Sequence, residues 1–257
     1  MTPKWQQLAD ELADEIRSGK RLPGSTLPFI PELVAAGRGS KATIHQAYKE
    51  LEARGLVAPH RGRGTIVLDR SQPRVTLSRY ERTLTPGDFS AWESTTAAQG
   101  LDGRTEAGTP PVEILDAPAD VAEFLALPTG TPAACRRHRA MIKAEVVGLC
   151  ADWYPLDIAQ AAGLDRSDHG EGGALGALVG AGIIPAEAEE FLTAEDATPE
   201  QAAQLGLGAR ASVLLVDRVT RDTTGRAVEL ARFIGPAHRL RLAYSPLPLS
   251  VTGYSGT

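Results

Sequence analysis

Trp5, Leu8, Ala9, Leu12 and Ile16 recur at three- and four-residue spacing, the period of a helix with one apolar face, and Gly19 follows the last of them as a stop signal. The spacing predicts a first helix over roughly 3 to 18. "LPGSTLP" (22 to 28) is a Pro/Gly turn that cannot continue it. "PELVAA" (31 to 36) allows two helical turns with Leu33 and Val34 inward, ended by Gly37 and Gly39. Ser40 then stands as the N-cap of a third helix, whose buried stripe is Ile44, Ala47, Tyr48 and Leu51. Past Gly55, "LVAPH" and "TIVLD" read as two short strands joined by "RGRG" (61 to 64).

The pattern weakens over 68 to 93, where apolar pairs are few and charge is scattered, and this stretch reads as a linker. Beyond it the chain repeats itself. The segments starting "APADVAEFLALP" at 117 and "ATPEQAAQLGLG" at 197 share Pro118 with Pro199, Ala122 with Ala203, a Leu-x-Leu and a V-x-L, at an offset of 80 to 81. Each copy predicts helix, strand, turn, strand. Between them "GALGALVGAG" predicts a helix and "IIPAEAEEFLTAE" a strand. Two such units side by side make a mostly antiparallel sheet with helices on one face, an α+β arrangement. The interface between the copies is a natural pocket, where strand alternation aims polar groups inward.

A length of 257 residues suits two domains, and a 42% hydrophobic share supplies their cores. Net charge is −5, yet residues 1 to 70 hold eleven Lys and Arg against eight Asp and Glu, so this part is +3 and the rest is −8. Such an asymmetry suggests a polyanion-binding module joined to something else; a solvated basic face is the plainer reading of charge alone. No apolar run reaches the roughly 20 residues that span a membrane, and the start "MTPKWQQLADEL" has no signal region, so a cytoplasmic protein is expected. Cys135 and Cys150 are expected as reduced thiols.

Charge gains meaning from its placement. The third helix carries Lys41, Thr43, His45, Gln46 and Lys49 opposite its apolar stripe, all able to donate hydrogen bonds, with Arg38 and Ser40 just ahead of it. A short helix, a glycine turn and a second helix with a polar, basic N-terminal face make a helix-turn-helix, whose second helix enters the major groove. Lys can reach guanine acceptors there, Gln can pair with adenine, and hydroxyls hold phosphates. Arg61, Gly62, Arg63 and Gly64 form the tip of a wing, where glycine lets the main chain approach DNA and arginine can enter the minor groove.

These residues carry a resemblance. "LPGSTLPFIPELVAAGRGSKATIHQAYKELEARGLVAPHRGRGTIV" resembles the winged-helix DNA-binding domain of GntR-family transcriptional regulators in its LPG turn, Ser40, Thr43, "QAYKELEARGLV" and "GRGT". It departs from the family at three positions: Pro31, Lys41 and His45 stand where arginines that contact bases are usual. Lys and His keep a donor but lack the bidentate fork of Arg, which implies either an operator unlike the family's usual one or weaker direct readout compensated by phosphate and wing contacts.

Roughly 100 to 245 resembles the effector-binding UTRA domain of the HutC subfamily, through "LALPTGTP", the R-x-R of Arg137 and Arg139, "DWYP" and "TGRAVELAR". That sheet type also occurs in chorismate lyase. The resemblance implies an N-terminal winged helix-turn-helix domain (1–70), a linker (71–95), an α+β effector-binding and dimerisation domain (96–248) and a tail (249–257). It places Arg137, Arg139, Asp152, Glu229 and Arg232 at the effector, with Cys150 where the family has Glu and "GPAH" (235 to 238) where Y-R-G-D is frequent. The site thereby departs from those for phosphorylated sugars. Two strand arginines suit an anionic or carboxylated compound; salt bridges to Asp152 or Glu229 are an equal alternative.

The expected function is a homodimeric repressor on a palindromic double-stranded DNA operator, responsive to a small-molecule effector, without membrane, metal or cofactor. Two other classes stay open. One is a regulator without a ligand, of plasmid or housekeeping genes, whose second domain only dimerises. The other is an enzyme on the lyase-like sheet, although no nucleophile with a paired base, metal-spaced cluster or phosphate-cradling loop is found. His138 in "RRHR" is the nearest catalytic candidate, and no catalytic residue is assigned.

Overall fold

The structure is a computed structural model, and it describes residues 2–22, 24–60, 62–68, 74–78, 91–167, 173–208 and 211–244. Helix α1 (Lys4–Arg17) buries Leu8, Ala9, Leu12 and Ala13. Helix α2 (Ile30–Ala35) carries Pro31 in its first turn, with the Glu32 carboxylate accepting from the Phe29 amide at 2.9 Å. Helix α3 (Lys41–Ala53) buries Ile44, Ala47, Tyr48 and Leu51, the stripe its spacing predicts, and the Ser40 hydroxyl accepts from the Thr43 amide at 3.2 Å. Strands β1 (Val57–His60) and β2 (Gly64–Val67) pair antiparallel as the wing, and Val57 and Val67 close the three-helix core. Val34 differs from expectation. It is exposed, because two turns of helix turn only Leu33 into the core.

Within the stretch expected as a linker, β3 (Val75–Ser78) pairs parallel with β10 (Leu240–Ala243). Val75 and Leu77 are buried there against Ala140, Ile142 and Val147. Helix α4 (Ala91–Ala97) follows and is fastened by the Trp92 indole, which donates to the Met141 carbonyl at 2.9 Å.

Six antiparallel strands form the main sheet: β4 (Gly103–Asp116), β5 (Pro132–Ile142), β6 (Glu145–Pro155), β9 (Ala227–Pro236), β8 (Ser212–Asp222) and β7 (Pro185–Asp196), in that spatial order. The repeat is visible in it. Helix α5 (Ala119–Phe124) leads into β5 and β6, and helix α8 (Pro199–Gln204) leads into β8 and β9, so that β6 and β9 meet at the centre. Helix α7 (Gly173–Gly180) and strand β7 lie between the copies, as their sequences predict.

The helices are not confined to one face. Helices α5 and α8 cover the side bearing Cys135, Trp153, Leu149 and Val213. The opposite side is covered by α6 (Leu156–Ala162) and α7, which pack on Ala134 and Tyr154, and by α4, whose Trp92 packs on Phe233. Both faces are therefore covered, and the central strands are packed on both sides.

Candidate DNA interface and effector site

Helix α3 presents Lys41, Ala42, His45, Gln46 and Lys49 around one shallow hollow, since positions spaced by three and four share a face. All five are exposed, and Ser40 and Arg38 lie just ahead of them at the surface. Arg38 is tied to α1 through Glu11, at 2.5 Å. Thr43 is partly covered, its hydroxyl 2.9 Å from that of Ser40. On the wing, Gly62 and Arg63 are exposed, and positive φ at Gly62 (80°) and Gly64 (87°) makes the turn accessible mainly to glycine. Arg61 lies outside the described residues.

The residues expected at the effector divide between the two faces of the sheet. Arg137 pairs with Glu113, and Arg139 lies 3.8 Å from Glu106, both carboxylates coming from the neighbouring strand β4. Arg232 makes a two-point contact with Asp217, at 2.7 and 3.0 Å, and reaches Asp120 of α5 at 2.8 Å. These three arginines stand on the α5 and α8 side.

Cys150, Asp152 and Glu229 stand on the other. There the Tyr154 hydroxyl donates to Glu229 at 2.7 Å, and Thr220 donates to it at 3.0 Å. The His138 Nδ1 lies 3.5 Å from the Asp152 carboxylate. Burial, reinforced by the charge of Glu229, holds the Asp152 carboxyl well above the usual range. Burial also pushes His138 down to about 4, so its imidazole is neutral at pH 7. Cys150 is a free thiol raised by burial.

Residues the sequence reading passed over join this cluster. Arg136, almost fully buried, donates to the Leu164 and Arg166 carbonyls at 2.9 and 2.6 Å. Glu93 of α4 acts on His138 electrostatically, and its Oε2 is buried without a hydrogen-bond partner among the described residues. Parity along β5 would have set Arg136 on this face together with His138, which the sequence singles out only as a catalytic candidate. That parity could not be read, because Ala133, Ala134 and Cys135 are apolar on both faces. Among the described residues no group of three His, Cys, Asp or Glu is placed to hold a metal ion, and no helix is long and apolar enough to cross a membrane.

Comparison with known proteins agrees with both halves. Residues 4–67 match the bacterial regulatory proteins of the gntR family, and residues 110–241 match the UTRA domain. An uncharacterized HTH-type transcriptional regulator of Streptomyces coelicolor, SCO4628, is 35% identical over 95% of this chain and 91% of its own. The HTH-type transcriptional repressor NagR of Bacillus subtilis is 24% identical over 90% of each chain. Among solved structures, a GntR-family transcriptional regulator superposes with a TM-score of 0.64 at 26% identity, covering 97% of this chain and 99% of the other. PhnF from Mycobacterium smegmatis shares the fold, with a TM-score of 0.54 at 23% identity over 92% and 97%. With a winged helix of the one kind and a sheet domain of the other, the chain belongs to the GntR family of transcriptional regulators and carries its UTRA domain.

Proposed function

We propose that this regulator is an effector-responsive repressor, acting in the cytoplasm as a homodimer on a two-fold-related operator. The observation that carries the DNA reading is the single exposed face of α3, where Lys41, His45, Gln46 and Lys49 converge beside a wing bearing Arg63. Two such helices in a dimer reach half-sites about one helical turn apart. NagR, a relative over 90% of the chain, is named a repressor, which supports repression. Ile114, Phe191 and Leu192, exposed on the edge strands β4 and β7, offer apolar surface to a second copy.

The effector site belongs on the side of the sheet that carries Cys150, Asp152 and Glu229, together with Arg136 and His138. A buried carboxylate oxygen without a partner among the described residues, such as Glu93 Oε2, is expensive unless a ligand meets it. Arg137, Arg139 and Arg232, occupied by carboxylates, serve the architecture in this reading. The effector is then a small polar molecule that donates hydrogen bonds, and no catalysis is assigned. A ligand-independent dimerisation domain is the second reading, favoured by Glu229 being satisfied by Tyr154 and Thr220.

Binding of the full-length protein to its own upstream DNA, over a salt series with random duplex as competitor, tests the first claim. Preference for that DNA with a steep negative salt slope is expected. Lys41→Ala and Arg63→Ala should both weaken it, and equal affinity for random duplex would refute sequence-specific regulation there. Thermal shift against a metabolite set tests the effector, because a ligand of the native state raises the midpoint with its affinity.

A further inference from the structure

Phe29 is 56% exposed, although it lies in one of the most firmly anchored parts of the winged helix. The segment before it runs along the wing: the Gly24 amide donates to the Val67 carbonyl, Val67 returns a bond to Ser25, and Leu27 donates to Thr65, each at 2.8 Å. The carbonyl of Pro28 accepts from the Tyr48 hydroxyl of α3 at 2.6 Å. The Phe29 amide is held by Glu32. Its ring rests against the wing: a Cβ built on Gly64 would lie 3.1 Å from Phe29 Cε1. The backbone around Phe29 is thus fixed to the reading helix on one side and to the wing on the other, while the ring itself is left to solvent.

Its position is what gives the ring a use. Tyr48 is one turn along α3 from His45 and two from Lys41, so the Pro28 anchor borders the face on which Lys41, His45 and Lys49 stand. The wing carries exposed Arg63 one residue before Gly64. An apolar ring held between two cationic, DNA-facing elements has no phosphate to bind. It suits the carbon surface of DNA, such as a thymine methyl or the face of a deoxyribose.

We propose that Phe29 is an apolar contact to the operator, contributing affinity without neutralising a phosphate. This rests on the DNA-binding reading above and goes beyond it by assigning a contact that charge could not reveal.

The test uses the full-length protein and the operator recovered by selecting it against random duplexes. Affinity is measured over a salt series for wild type, Phe29→Ala, Phe29→Leu and Arg63→Ala. Phe29→Ala is expected to lose roughly tenfold in affinity for the operator, with the wild-type slope of log K against log salt and an unchanged melting midpoint. Phe29→Leu should recover part of the loss, and Arg63→Ala should flatten the slope, since only phosphate contacts release counterions.

Replacing operator thymines by deoxyuridine then separates the two carbon surfaces. A penalty seen in wild type and absent in Phe29→Ala assigns a methyl, and no penalty in either assigns the sugar. Wild-type affinity in Phe29→Ala would overturn the proposal, as would a loss accompanied by a changed salt slope. If selection enriches no sequence over random duplex, the DNA reading fails as well, which distinguishes the two failures.

Discussion

Arg136 and Arg137 are consecutive in the chain and serve opposite sides of the sheet. Arg136 enters the interior and donates to the Leu164 and Arg166 carbonyls, whereas Arg137 pairs with Glu113 at the sheet's other surface.

The difference should show in stability and in response. Arg137 is about half exposed, so Arg137→Ala should cost less than about 1 kcal/mol, leaving effector response and operator affinity near wild type. Arg136→Ala strips the buried Leu164 carbonyl and the part-buried Arg166 carbonyl of a charged donor and should cost about 2 kcal/mol or more. Chemical denaturation and an effector titration on both variants check this. Loss of response in a folded Arg137→Ala protein would move the effector site to the other face.

Asp152 opposes folding as pH rises. In the folded chain its carboxyl keeps its proton well above the ordinary 3.8, while the unfolded chain releases it there, so stability falls as pH climbs from that value. His138 acts in the opposite sense. Its folded value of about 4 lies below the ordinary 6.5, so its contribution is complete above 6.5 and is lost as pH falls towards 4. Asp152→Asn should therefore raise the melting midpoint more at pH 8 than at pH 5, and a melting series across that range measures it. An equal or smaller gain at pH 8 would contradict the assigned shift.

Ser40 caps the reading helix. Ser40→Ala removes the acceptor for the Thr43 amide and should cost about 1 kcal/mol, while Ser40→Asp should restore most of it. Denaturant midpoints check the cap. Operator binding by Ser40→Asp, with its added negative charge, should stay weak even though the helix is capped, because a phosphate backbone repels it.

Gly148 makes room for an aromatic ring. A Cβ there would fall 2.4 Å from Phe233 Cε2 and Cζ and 3.1 Å from Ala140 Cβ, so Gly148→Ala should destabilise the sheet domain by about 1 to 3 kcal/mol. Phe233→Leu combined with it should recover part of the loss, and a double-mutant cycle reads the coupling directly.

Much of the winged helix was legible because its signals are local. The 3.6-residue stripe on α3, the Ser40 cap, the glycines of the wing and the repeat that became α5-β5-β6 and α8-β8-β9 each need only neighbours in the chain to be recognised. Three things needed the tertiary structure. Strand β3 finds its partner β10 across most of the chain, and nothing in "VTLS" announces that pairing. Helices cover both faces of the sheet, because the segments outside the repeat fold back over the side the repeat leaves open. The face on which each of Arg136, Arg137, Cys150 and Asp152 stands was undecidable from the sequence. Alternation marks a face only when one side is wet, and the central strands are packed on both.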